Sequence, residues 1–105
     1  MDETFESIGK WAVETFDRPS QLACLAKLIE EVGELARYIQ HDTEYGVIPE
    51  EMADIIIVLS HMAASHGYDL QGALNYKMRV NRGRRWRIHK TGTASHVPEG
   101  VQEGV

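Results

Sequence analysis

Cysteine is almost absent from this 105-residue sequence: Cys24 is the only one, which excludes an internal disulfide and a cysteine-based zinc site. Set among Leu22, Ala23, Leu25 and Ala26, its thiol reads as a small buried hydrophobe rather than a nucleophile. Long apolar runs are missing too. The longest, Ile55 to Leu59, is far too short to span a bilayer, so no membrane partner is expected. No charged-then-apolar signal opens the chain, and the expected location is the cytoplasm. No segment shows the strict polar–apolar alternation of a half-buried strand. The formal net charge of -5 argues against a general nucleic-acid partner, since such binders carry an excess of cations.

What is present is helical periodicity. The hydrophobic fraction of 43% fits a soluble globular protein, and the length allows one core but not two. A first helix is predicted over about Glu3 to Phe16, with Phe5, Ile8, Trp11 or Ala12, and Phe16 at helical spacing. Asp17-Arg18-Pro19-Ser20 interrupts it, because proline disfavours helix in the residue before it. A second helix is expected from about Ser20 to His41, with Leu22, Leu25, Leu28, Ile29, Val32, Leu35, Ala36 and Ile39 as its apolar stripe. Gly33 within it, costly in a helix by about 1 kcal/mol relative to alanine, is expected to permit a close helix contact. Residues 42–48 read as a loop, Pro49 as the opening of a third helix that reaches about Ser65, and Gly67 as its stop. Asp69 would cap a fourth helix ending between Asn81 and Trp86. The expected fold is therefore all-α, a four-helix bundle-like domain over residues 1–87. Residues 88–105, rich in Gly, Thr and Ser, are expected to form a flexible tail. The third helix is apolar on more sides than two neighbours can cover, so a second subunit is expected to pack on it.

Two pairs of carboxylates share one spacing. Glu31 and Glu34 lie in EEVGEL, and Glu51 and Asp54 lie in EEMADIII. Residues three apart share a helix face, so two such helices packed together would converge four acids. Asp54 opens a run that is apolar almost all round and is expected to be buried. A buried, ionised carboxylate with acidic neighbours is strongly disfavoured unless a divalent cation compensates it. Lys77, Arg79, Arg82, Arg84, Arg85, Arg87 and Lys90 crowd a later stretch. An acidic cluster for metal and a basic cluster for anions suit a polyphosphate substrate, although a solvated helix end would also account for any single arginine.

The order Glu31-x-x-Glu34 followed by Glu51-x-x-Asp54, with Glu30 and Glu50 preceding each pair, resembles the signature of the MazG-like all-α nucleotide pyrophosphohydrolases. Lys77, Asn81, Arg84 and Trp86 in KMRVNRGRRW resemble the ending found in several members, including the dATP/dGTP diphosphohydrolase branch. The resemblance covers about residues 20 to 86. It implies hydrolysis of a nucleoside triphosphate between the α and β phosphorus atoms, giving a monophosphate and pyrophosphate. It also implies a homodimer or homotetramer, and magnesium, replaceable by manganese, held by Glu31, Glu34, Glu51 and Asp54. Magnesium is a hard cation that takes carboxylate oxygens together with substrate phosphates.

On this resemblance the same four acids are the catalytic and metal-binding residues, with the general base open among Glu30, Glu31 and Glu34. Lys77, Asn81 and Arg84, at four- and three-residue spacing on one face, are candidates for the phosphates. Trp11 and Phe16 are candidates for stacking on a base, against an alternative role in the core. His61 can touch the nucleotide or bridge helices. The substrate expected from the sequence ending is a purine deoxynucleoside triphosphate, dATP or dGTP, with dCTP or dUTP as the alternative. Outside the enzyme reading stand a silent helical interaction module and a small nucleic-acid binder using Arg79 to Arg87.

Overall fold

Thr4 begins the first helix of the computed structural model, which describes residues 2–41 and 46–100. Its hydroxyl accepts a hydrogen bond from the Ser7 backbone N–H at 3.0 Å, and the Ser7 hydroxyl accepts one from the Thr4 N–H at 2.7 Å. This reciprocal cap satisfies two N–H groups that a helix start leaves unpaired, and α1 runs Phe5–Phe16. Ser20 caps α2, Gln21–Gln40, by accepting from the Ala23 N–H at 3.1 Å. The third helix, α3, spans Val47–His66 and ends on Gly67, whose φ of 73° is the left-handed conformation that favours glycine. It starts two residues before Pro49, and residues 42–45 of the expected 42–48 loop lie outside the described residues. The fourth helix, α4, spans Leu70–Gly83.

The chain divides into two compact units, residues 1–71 and 72–105. In the first, α3 packs against both α1 and α2. The contact with α1 is unusually close because its residues are small. A Cβ built on Gly9 would lie 2.7 Å from the Ala64 Cβ and 2.8 Å from the Ser60 carbonyl oxygen. Ala12 on α1 and Ser60 and Ala63 on α3 are buried. Gly33, expected to permit a close contact, has nothing within 4 Å of its would-be Cβ; Gly9 holds that role. Overpacking a tight seam costs about 1–3 kcal/mol, so Gly9→Ala is expected to lower the melting temperature in thermal denaturation. A melting temperature equal to the wild type would show that α1 and α3 do not approach this closely.

The turn between α1 and α2 is fastened to α3 by three side chains. His61 Nε2 lies 2.8 Å from the Asp17 carbonyl oxygen, and His66 Nε2 lies 2.9 Å from that of Pro19. Arg18 donates in return to the Ala64 carbonyl oxygen at 2.9 Å. Asp17 itself has φ 67° and ψ -161°, a region that side chains other than glycine avoid. The three bonds hold that conformation in place.

The second unit contains a feature that the sequence pattern did not indicate. Strands β1, Arg85–Ile88, and β2, Ala94–Val97, pair antiparallel with Trp86 opposite His96. The tail expected from residue 88 thus gives way to a hairpin, and residues 101–105 lie outside the described residues. Both strands are exposed except at Val97, which is why no buried alternation marks them. The Trp86 indole N–H donates to the Asn81 carbonyl oxygen at 2.8 Å, tying the hairpin to the end of α4.

Candidate metal centre and adjoining cavity

Glu31 on α2 and Glu51 on α3 are buried, with 7% and 8% of their surface exposed. They come together with Asp54 so that one carboxylate oxygen from each lies within 4.8 Å of the others. This is three acids of the expected four. Glu34 is half-buried and is not within that mutual distance, but its charge acts on Glu51. Asp54, expected to be buried, is exposed, and the two glutamates are the buried members. The apolar run after Asp54 packs on α1 and α2, yet Ala53, Asp54 and Ile56 remain on the open side of α3.

The cluster has the electrostatics of a cation site. Glu31 Oε2 and Glu51 Oε2 are buried without a hydrogen-bond partner. Burial is the first cause that pushes the Glu51 carboxyl up from 4.5 to about 7, followed by its contact with the Glu31 carboxylate and the charges of Glu34, Glu31 and Asp54. Unpaired buried carboxylate oxygens are rare in folded proteins because they lose water and gain nothing. An all-oxygen set of this kind suits a hard divalent cation, and the residues fit one.

Lys27, one turn before Glu31, places its Nζ 3.3 Å from Glu31 Oε1 and 3.5 Å from Glu30 Oε1. Its hydrogen bond to Glu31, then the charge of Glu30, raises the ammonium pKa. Glu30 and Glu50 are exposed.

Beside the cluster is a cavity of about 500 Å³ between α1, α2 and α3. Glu31, Asp54 and Lys27 line one part of it, and Trp11, Phe16 and His61 another. Trp11 and Phe16 are half or more exposed and meet edge to face, with ring centroids 5.4 Å apart. His61 is both a bridge to the α1–α2 turn and a wall of the cavity. Cys24 also lines it, its thiol pKa pushed up by burial, which disfavours the reactive thiolate. Lys27 is not among the candidates that the sequence singles out. The signal that could have found it is its spacing, four residues before Glu31 on the same face.

Lys77 and Asn81 lie on α4 and Arg84 just after it, in the second unit. Lys77 and Arg84 are exposed and Asn81 is half-buried. The Asn81 carbonyl oxygen is occupied by Trp86 and the Arg84 N–H.

A family model for the MazG nucleotide pyrophosphohydrolase domain matches residues 19–84, which contain all four acids of the paired motif. The chain belongs to the MazG family. Among its MazG relatives, the dATP/dGTP diphosphohydrolase of Cyanophage S-2L is 37% identical over 75 residues, 70% of this chain and 66% of the relative. The dATP/dGTP diphosphohydrolase of Salmonella phage PMBT28 is 33% identical over 89% of this chain and 30% of its own length. Human dCTP pyrophosphatase 1 is 35% identical over 84% of this chain and 59% of its own length. The chain thus spans less than two thirds of the length of these relatives.

Solved MazG structures share the fold. A Cyanophage S-2L MazG-like pyrophosphohydrolase bound to dGDP and three catalytic Mn2+ ions per active site superposes with a TM-score of 0.69 at 28% identity, covering 92% of this chain and all of that one. The Bacillus-conserved MazG protein, a nucleotide pyrophosphohydrolase, gives a TM-score of 0.68 at 33% identity, covering 81% of this chain and 96% of that one. The four helices match this MazG architecture. No helix among the described residues is long and apolar enough to cross a membrane.

Proposed function

We propose that this MazG chain hydrolyses a deoxynucleoside triphosphate at the α–β phosphoanhydride, releasing the monophosphate and pyrophosphate. The observation that carries the reading is the contiguity of a buried carboxylate cluster and an aromatic-walled cavity. Glu31, Glu51 and Asp54 would hold a divalent cation, Mg2+ or Mn2+, with Glu34 adding negative potential beside them. When bound, such a cation polarises phosphoryl oxygens and makes a bound water a stronger nucleophile. Trp11 and Phe16 offer faces and edges to the base, and the apolar walls Ile57 and Val58 exclude water from it. Lys77 and Asn81 on α4 and Arg84 just after it are proposed as phosphate contacts from their sequence spacing, the arginine being able to grip two oxygens at once.

Purine deoxynucleotides are favoured because two relatives carry the name dATP/dGTP diphosphohydrolase and an S-2L structure holds dGDP. A second reading, dCTP, is favoured by the human relative. A panel of common nucleoside and deoxynucleoside triphosphates with Mg2+ or Mn2+, with products identified by phosphorus spectroscopy, tests both. Pyrophosphate release from dATP or dGTP is expected, and orthophosphate in its place would sink the mechanism.

The functional form is proposed to be a homodimer. Its support is a second apolar face on α2, in place of the α3 face expected from sequence. Leu22, Leu25, Ile29, Val32, Ala36 and Ile39 recur at alternating three- and four-residue steps and are all exposed, Leu22 at 75% and Ile29 at 63%. That spacing is the seam of two helices packed side by side, and a second copy supplies a self-complementary partner for it. Light scattering after size exclusion is expected to give a dimer or a multiple of it for the wild type. Ile29→Asp is expected to shift the mass toward monomer. Wild-type monomer at micromolar concentration would refute the proposal.

A further inference from the structure

The cavity next to the carboxylate cluster has an uneven charge. Its lining residues include Glu31 and Asp54 but only one lysine or arginine, Lys27. The Lys27 side chain is about half exposed, at 52%, while the Glu31 side chain it touches is only 10% exposed. Its ammonium therefore stands at the boundary between the buried acids and the open cavity, on the α2 wall. An ammonium has three donors, and its contacts with Glu31 Oε1 at 3.3 Å and Glu30 Oε1 at 3.5 Å engage two of them, leaving one for a ligand.

A nucleotide in this cavity is subject to a simple order of attachment. The base stacks at the aromatic part, the cation-binding acids sit at the other, and the phosphate joined to the sugar must lie between them. A phosphate brought near Glu31 and Asp54 is repelled by whatever carboxylate charge the bound cation leaves uncompensated. Among the described lining residues the one lysine or arginine is Lys27, beside the acids. We infer that Lys27 is a substrate-binding residue that contacts the phosphate attached to the nucleoside while its stem stays along the cavity wall. The inference rests on the nucleotide reading above. A competing role is purely structural, in which Lys27 does no more than orient Glu31.

Binding measurements separate the two without relying on turnover. Isothermal titration of the full chain in Mn2+ is made with dGMP and deoxyguanosine, and with dCMP and deoxycytidine, for wild type, Lys27→Met and Lys27→Arg. Methionine keeps much of the stem and removes the charge. Losing one charge-assisted contact corresponds to roughly ten- to a hundredfold in affinity. Lys27→Met is expected to lose about that much for the monophosphates, while the nucleosides bind as to wild type and Lys27→Arg retains most monophosphate affinity. The Mn2+ affinity of Lys27→Met, titrated separately, is expected to be no weaker than wild type.

Equal losses for monophosphate and nucleoside, or no loss for either, would overturn the inference. So would weakened Mn2+ binding with the monophosphate deficit vanishing at saturating Mn2+, the mark of a Glu31-orienting role. Failure of the hydrolase reading shows separately: a wild type that binds monophosphates but releases no pyrophosphate refutes that reading, and the difference between monophosphate and nucleoside still decides the place of Lys27.

Discussion

Glu51→Gln is expected to abolish metal-dependent pyrophosphate release while making the metal-free protein more stable near pH 8. The two effects come from one cause. Glu51 is buried beside Glu31, and its Oε2 has no hydrogen-bond partner. Burial and neighbouring acids push its carboxyl up to about 7, so above that pH the fold carries a charge that its surroundings disfavour. A neutral amide removes the disfavoured charge and with it a ligand for the cation. Removing one well-placed electrostatic contact to a reacting centre typically costs about 10²–10³ in turnover, and loss of a direct ligand belongs at or beyond the upper end. Steady-state kinetics with Mn2+ and chemical denaturation in EDTA read the two effects. Turnover within a fewfold of wild type would remove Glu51 from the centre. A metal-free variant less stable than wild type would show that the carboxylate is a structural partner instead. Asp54→Asn, at an exposed position, is expected to share the loss of activity without the gain in stability.

Addition of Mn2+ is expected to raise the melting temperature, and by more at pH 8 than at pH 5. A ligand at a hundred times its Kd stabilises by about 2.7 kcal/mol, which for a domain of this size is roughly 10–20 °C. The pH dependence follows from the raised Glu51 pKa. Its ordinary value is 4.5 and its folded value about 7. Between these values the folded chain binds more protons than the unfolded one. The stability this group contributes is therefore fully present below about pH 4.5 and is lost as pH rises through about 7. A cation needs the deprotonated carboxylate, so at low pH it must displace that proton and binds more weakly. Melting curves in EDTA and in Mn2+ at several pH values test the sign. A metal increment that is constant or shrinks with rising pH would contradict a protonated Glu51 at the centre of the site.

The parts of this structure that follow from local rules are legible in the sequence. Helix existence comes from apolar recurrence at 3.6-residue spacing, and Asp17 to Ser20 and Gly67 interrupt that recurrence with turn and capping chemistry. The four acids were legible as two same-face pairs for the same reason. The hairpin at residues 85–97 was not. Its strands are short and almost wholly exposed, so their pairing leaves no alternating burial in the sequence. Gly9 was passed over in favour of Gly33 because a glycine in a helix shows its backbone cost but not its neighbour. The α2 stripe was read as one broad apolar face, although the helix has an inner side with Cys24 and Glu31 and an outer one with Leu22 and Ile29.

By itself the sequence determined which residues share a helix face, because the rise and turn of a helix are set by backbone geometry alone. That was enough to pair Glu31 with Glu34 and Glu51 with Asp54, and to point to a cation and to the MazG family. Only the tertiary structure decided which of these acids meet. The approach of α2 to α3 buries Glu31 with Glu51, leaves Asp54 at the open side and brings the charge of half-buried Glu34 to bear on Glu51. Contacts between residues far apart in the chain depend on the packing of whole helices, and a spacing within one helix carries no record of which neighbour will stand opposite it.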